Sequence, residues 1–421
     1  MNHTLWEETK LPQFESLKQN IETEVLVIGG GICGILCAYY LSKSHQVVLV
    51  EKGRLAGQRT NKTTATITAL QDINYKDIIH TFGYAKAKHY LGANLSAIDA
   101  YEELAKEYDF DFERVNSYKY FKNKNAQLKE ELGAIQSLGY QASISDNYAI
   151  CFKNQAQMNP IRLIQSLISS FTIYENTEIL KIKNNIAYTK DYSISAKHIV
   201  VATGYPFLKL KGLYPLKLTQ KKSYVMVVDY PEGKESFHSI GCDEGDLYFR
   251  TYKNQFVIGG GDQKTGKGYN GFVAIQAYIK KHLADHKIQY QWINQDCISL
   301  DGLPYIGNYG KEKNIYVATG FNLWGMTSSM LAAQILTAKI EGTHHPYEHL
   351  FRPNRRMLVI PLFKNIGTAI WNFCRINRRC THLGCALHYI AAEDCYECPC
   401  HGTKYTREGK IIFNPANKNK K

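Results

Sequence analysis

The first ten residues, MNHTLWEETK, lack the basic start and apolar core of an export signal and carry acids instead. Long hydrophobic runs are also missing. EVLVIGGGICGILCAYYL is closed by Glu24 and Ser42 at about the minimum spanning length, and its glycines have another explanation. MLVIPLFKNIGTAIWNF (Met357 to Phe373) is interrupted by Pro361 and Lys364. It is expected to pack between domains, the alternative being a segment that lies on a membrane surface. These absences point to a soluble, cytoplasmic chain without a transmembrane segment.

No RNA-recognition signature, finger spacing or basic–aromatic repeat is present, so nucleic acid is not an expected partner. A complete phosphate-binding loop is missing too. FVIGGGDQKTGKG offers Gly261-x4-Gly266-Lys267, but Gly268 follows where a hydroxyl must ligate magnesium. A strand and turn in a substrate-facing sheet is the better account of that stretch. The eleven cysteines of a 421-residue chain do not make a disulfide scaffold, yet six of them crowd into the last 48 residues, which argues for a metal site there. Positive charge concentrates in the same region: Pro346 to Lys421 has 13 Lys/Arg against 5 Asp/Glu, out of a net +13 for the chain. A solvated basic tail explains this, and so does a landing surface for an acidic partner.

What is present begins at Glu24. EVLVI reads as a buried parallel strand, GGGICG as a turn, ILCAYYLSKS as a helix, and QVVLVE as a second strand ending in Glu51. Gly29, Gly31 and Gly34 stand in the G-x-G-x-x-G pattern: one for the tight turn, one for the approach of a pyrophosphate, one for helix–strand packing. Amides at the helix start then hold phosphates, and Glu51, 20 residues after Gly31, is placed to bond a ribose hydroxyl. The unit therefore binds a dinucleotide. No second such unit follows a strand, so electrons are not expected from NAD(P)H.

After Glu51 and Lys52, GRLAGQRTNKTTATITA resembles the second contact loop of the D-amino-acid-oxidase-like flavoproteins, placing Thr63, Thr64 and Ala65 under a flavin. NTEILKI resembles the family strand that touches adenine, at Ile179, and HIVVATGYP resembles its second glycine turn, at Ala202, Thr203 and Gly204. DGLPYIG and NIYVATGFNLWGMT resemble its C-terminal flavin-contacting strand and helix start, with Gly307, Gly320, Phe321, Trp324, Gly325 and Met326. The resemblance implies FAD and an α/β Rossmann-like domain interleaved with an α+β substrate domain. Its extent would be residues 1–345, with FAD-binding segments near 23–90, 155–206 and 300–343 and substrate-facing segments near 91–154 and 207–299.

The chain ends in two boxes, CTHLGC and CPCHGT. Cys380-x-His382 and Cys398-x2-His401 fit poorly to the usual zinc spacings. Two cysteines on one iron and two histidines on the other is the Rieske [2Fe–2S] arrangement; a zinc ribbon, or thiols that have lost their cluster, is the alternative. Both boxes resemble Rieske proteins. That resemblance implies Cys380, His382, Cys398 and His401 as ligands and a clamping disulfide between Cys385 and Cys400. It also gives Thr403 a hydrogen bond to a bridging sulfide and Tyr405 one to a ligand sulfur, donors that raise the potential of such a centre. The domain, residues 376–421 after a connecting segment at 346–375, is short of the strands that normally precede and follow the boxes, a shortened β-rich cluster-binding subdomain.

A flavin takes two electrons as hydride and a [2Fe–2S] centre passes one, so the whole resembles bacterial FAD-dependent oxidoreductases with a C-terminal Rieske domain. The resemblance implies a small amine or amino-acid-like substrate and a separate acceptor, such as an acidic electron-carrier protein. An oxygen-using oxidase with a vestigial cluster, or an electron-transfer module without a small substrate, are the alternatives. Asp296 and Cys297 stand where several amino-acid oxidases have a carboxylate-clamping arginine. Tyr248 and Arg250, on the first strand of an expected hairpin, are the candidate pocket residues in their place.

Overall fold

A computed structural model describes residues 3–121, 126–145, 148–208, 211–230, 235–242, 247–355, 359–375, 377–416 and 418–420. Residues 357, 358 and 376, on which the expected membrane-or-packing segment and the domain boundary fall, lie outside the described residues.

The strands described form three sheets. The first is built on Ile21–Ile28, whose β-branched, fully apolar run suits a strand covered on both faces. Its parallel neighbours are Val47–Val50 on one side and Ser193–Gly204 on the other, extended by Thr172–Tyr174 and Ile315–Thr319. Tyr305–Asn308 closes the edge antiparallel. Helices Ile32–Ser42 and Gly325–Ile340 pack together over this sheet, both almost wholly buried. This is the expected doubly wound nucleotide-binding layer.

The second sheet holds nine strands, with the order Ile288–Ser299, Leu218–Asp229, Gln255–Lys264, Leu247–Tyr252, Phe237–Cys242, Glu113–Tyr120, Ala149–Gln157 and Thr66–Ile67, and Ser143–Ile144 added alongside Ala149–Gln157. Leu247–Tyr252 and Gln255–Lys264 pair as the expected hairpin, and the latter absorbs the glycine-rich near-miss as ordinary strand. Between Asn176 and Ile182, strand begins only at Lys181, so the adenine-side segment runs extended without ladder pairing.

The third sheet is small, antiparallel and C-terminal: His388–Ile390, Cys395–Glu397, Lys404–Tyr405 and Ile411–Phe413. Two of its strands lie between the cysteine–histidine boxes and two follow them. The helix Val359–Cys374 leads into it. That helix departs from the expected packing segment: Asn365 and Asn372 face the protein while several large apolar side chains face outward.

Candidate active site and metal centre

The glycine turn between Ile21–Ile28 and Ile32–Ser42 is a close backbone crossing. A Cβ on Gly34 would lie 1.8 Å from the Gly29 carbonyl oxygen, so helix and strand meet without a side chain between them. The Glu51 carboxylate accepts from the amides of Gly30 (2.7 Å) and Gly53 (3.0 Å), which fixes it at the rim of the turn. From here opens a cleft whose space, its open mouth included, comes to about 1300 Å³. Gly29, Gly31, Glu51, Lys52, Thr63, Ile179, Ala202, Thr203, Gly204, Phe321, Gly325 and Met326 line it. Gly34, Thr64, Ala65, Gly307, Gly320 and Trp324 are not among its lining residues. The bare glycine turn and the helix start beside it, both at the cleft, fit a dinucleotide such as FAD.

The loop that runs under the cleft is pinned from behind by three buried donors. Trp292 Nε1 donates to the Lys62 carbonyl at 2.8 Å, Trp6 Nε1 to that of Thr63 at 2.7 Å, and Arg250 Nη1 to that of Thr64. Arg250 also donates to Gln157 Oε1 and to the Met158 carbonyl, both at 2.9 Å, and its guanidinium lies over the rings of Trp6 and Tyr252. Arg250 is 1% exposed and does not line the cleft. The expectation that it clamps a substrate is corrected: its nitrogens are committed to holding the flavin-side loop. Tyr248 is likewise outside the cleft lining, its ring filling the space above Gly259, where a Cβ would come within 1.9 Å. Trp6 and Trp292 went unread in the sequence, because nothing local marks an indole whose partner lies about 60 or 230 residues away.

One side of the cleft is polar and carries a carboxylate. Asn294 and Asp296, alternate residues of Ile288–Ser299, both line it, and Asn294 Nδ2 donates to Asp296 Oδ2 at 3.0 Å. Burial pushes the Asp296 carboxyl up to about 6, against the pull of Arg59, which also lines the cleft. Asn414, Pro415 and Ala416, just past the last strand of the C-terminal sheet, also line the cleft.

The two boxes form facing loops. Cys380, His382, Cys398 and His401 are all buried, and the two imidazole rings stand 4.9 Å apart at 88°. His401 Nδ1 is buried without a hydrogen-bond partner. Cys380, Cys385, Cys398 and Cys400 pack together with Tyr405 in one buried cluster. Tyr405 Oη lies 3.4 Å from Cys380 Sγ, and Thr403 Oγ1 accepts from the Ala416 amide at 3.1 Å, which leaves its own proton to donate. This donor set of two sulfurs and two imidazoles, delivered as C-x-H and C-x2-H from two facing loops, fits a [2Fe–2S] centre, and the spacing fits a tetrahedral zinc poorly. The expected Cys385–Cys400 disulfide is a correction: both are free thiols, and with Cys398 their sulfurs lie within 4.8 Å of one another without a bond.

The clamp is supplied instead by docking on the nine-stranded sheet. Lys222 Nζ, with no exposed side-chain surface, pairs with Glu393 at 2.6 Å and Glu397 at 3.1 Å. Gln220 donates to the His401 carbonyl and Gln295 to that of Gly402 at 2.7 Å. A Cβ on Gly402 would lie 2.5 Å from Gln295 Nε2, so the second box approaches the sheet as closely as backbone allows. Tyr205, at the end of Ser193–Gly204, lines the flavin cleft and meets His382 and His401 edge-on, with ring centroids 5.7 and 6.2 Å apart.

A nucleotide cleft and a two-cysteine, two-histidine centre sharing one wall define a flavin and iron–sulfur oxidoreductase. The comparisons agree. Residues 24–339 match the FAD dependent oxidoreductase family and residues 369–421 the Rieske [2Fe-2S] domain. The chain is 30% identical to the Rieske 2Fe-2S iron-sulfur protein YhfW of Bacillus subtilis (strain 168), over 98% of this chain and 96% of that one. Its last part is 61% identical over 36 residues to the cytochrome b6-f complex iron-sulfur subunit of Chlorobaculum tepidum, 9% of this chain and 20% of that one. Glycine oxidase from Geobacillus kaustophilus has the same fold, with a TM-score of 0.67, 16% identity and coverage of 80% of this chain and all of that one. The protein belongs to the FAD-dependent oxidoreductase family of the D-amino-acid-oxidase type, fused to a C-terminal Rieske domain; its cofactors are FAD and a [2Fe–2S] cluster.

Proposed function

We propose that this protein is a dehydrogenase for a small amine or amino-acid-like substrate, passing electrons one at a time through the Rieske centre to an acceptor. When bound, the flavin supplies a hydride acceptor and the iron pair a one-electron carrier. The single observation that carries the reading is Tyr205: one buried ring lines the flavin cleft and touches both cluster histidines. A vestigial cluster would have no reason to turn its histidines inward to that wall.

Cys380 and Cys398 hold one iron in this reading, and His382 and His401 the other. Thr403 and Tyr405 donate to the sulfurs. The glycine turn, Glu51 and Lys52 hold the dinucleotide, Ile179 its adenine. Asp296 receives the substrate ammonium and sits where a carboxylate clamp would otherwise stand, which favours amines over simple α-amino acids. The basic C-terminal region suits an acidic electron carrier as acceptor.

The test is an anaerobic titration of the purified protein with amines and amino acids, following flavin absorbance and the cluster's EPR signal together. An amine that bleaches the flavin and raises the EPR signal in step supports the proposal. Peroxide release unchanged by Cys380→Ala would assign the protein to the oxidases instead. Failure of the whole panel, with reduction by ferredoxin alone, would make it an electron-transfer module.

A further inference from the structure

The helix Val359–Cys374 is built inside out. At 100° per residue, Phe363, Ile370, Trp371 and Phe373 fall within one half of its circumference, and Asn365 and Asn372 on the other. The apolar half is the outer one: these four side chains are 67%, 61%, 64% and 58% exposed, while the two asparagines are 7% and 4%. Asn365 Nδ2 donates inward to the Leu216 carbonyl at 3.0 Å, and the Asn372 carbonyl accepts from the Ala386 amide at 2.9 Å, so the helix is fixed in this orientation. An amphipathic helix that buries its apolar stripe is the ordinary case. Here that stripe faces away from the protein, a patch of the kind that marks an interaction surface.

Its chemistry selects the partner. The helix carries no acid, Lys364 lies at the edge of the apolar half, and Arg375, Arg378 and Arg379 follow at its end, all exposed. Two arginines lie over the aromatic rings of the patch itself, Arg375 on Trp371 and Arg379 on Phe373. A second copy of the helix would add more cations and no counter-charge. A bilayer surface with anionic headgroups offers both an apolar interior for the four side chains and counter-charge for the basic rim. Sixteen residues span about 24 Å, short of the roughly 30 Å hydrocarbon core, and among the described residues no helix is long and apolar enough to cross a membrane. We infer that Val359–Cys374 lies in the surface of an anionic membrane as a peripheral anchor. The anchor adjoins the first cluster loop, since a Cβ on Gly384 would sit 3.3 Å from the Phe373 ring. The inference does not depend on the substrate or on the direction of electron flow.

The experiment uses the full-length holoprotein with vesicles of phosphatidylcholine alone and of phosphatidylcholine with phosphatidylglycerol. Cosedimentation is expected only with phosphatidylglycerol present and is expected to fall as salt rises. Trp6 and Trp292 are fully buried and Trp324 is half-buried, so the part of a blue shift of tryptophan emission, quenched by brominated lipid, that the variant Trp371→Phe loses reports Trp371. The double variant Ile370→Ser/Trp371→Ser should keep its flavin spectrum and lose partition. Each of Arg375→Gln and Arg378→Gln should weaken it about fivefold. The inference is overturned if wild-type protein stays in the supernatant with anionic vesicles, or if the double variant pellets equally. A dimer in light scattering that the double variant splits would overturn it too, by assigning the face to a second copy.

Discussion

Arg250 donates across the floor of the flavin cleft to Gln157, Thr64 and Met158, so its loss acts on the cofactor before the substrate. Arg250→Met should cost about 2–3 kcal/mol, the scale of a buried hydrogen bond to a charged group. It should also raise the dissociation constant of FAD, measured by the fluorescence of released flavin, with equal effect on substrates with and without a carboxylate. Gly34→Ala is expected to be harsher, because its methyl would collide with the Gly29 carbonyl; purified protein should carry no flavin absorbance. Asp296 governs the pH response. Its folded value, about 6, lies above the ordinary carboxyl value. Its contribution to stability is therefore complete in acid and is lost as pH rises through 6, while its attraction for an ammonium appears over the same range. KM for a cationic amine should fall between pH 5 and 7. Asp296→Asn should flatten that profile and raise Tm at neutral pH.

Two neighbouring strands explain how both halves are held. In Leu218–Asp229, Gln220, Lys222 and Tyr224 reach the Rieske domain. On Ile288–Ser299, Gln295, opposite Lys222, reaches Gly402, while its neighbours Asn294 and Asp296 turn to the flavin cleft. Lys222→Met would leave Glu393 and Glu397 buried without that cation and should cost about 3–5 kcal/mol. Hydrogen exchange should show faster exchange across residues 388–413, with the nucleotide sheet unchanged. None of this docking was legible in the sequence. Gln, Lys and Tyr at every second position read as a solvated face, and the carboxylates that answer Lys222 lie more than 170 residues away. The nucleotide-binding elements were legible for the opposite reason: strand, glycine turn, helix and acid are contiguous, and each is dictated by local sterics.

At the scale of the whole molecule, the C-terminal domain is both cluster holder and flavin wall, through Asn414 to Ala416. Cys380→Ala should therefore remove the two irons per chain, measured by metal analysis, and also speed FAD dissociation, because the wall is anchored through Thr403 beside the second box. A cluster domain tethered by a free linker would leave FAD unaffected. The two boxes stand out in the sequence because each is contiguous, and the structure brings their cysteines and histidines together in one buried cluster. The disulfide could not be read there, because bond formation depends on how the sulfurs meet in space.

The alternation along Ile288–Ser299 has a genetic consequence. Deleting or inserting one codon within it would rotate every later side chain by half a turn, sending dock residues into the chamber and chamber residues into the dock. Point changes on either side stay private to that side; a frame-preserving indel strikes both redox sites at once. Length variation among descendants of this gene should therefore avoid these twelve positions and gather in the loops that flank them.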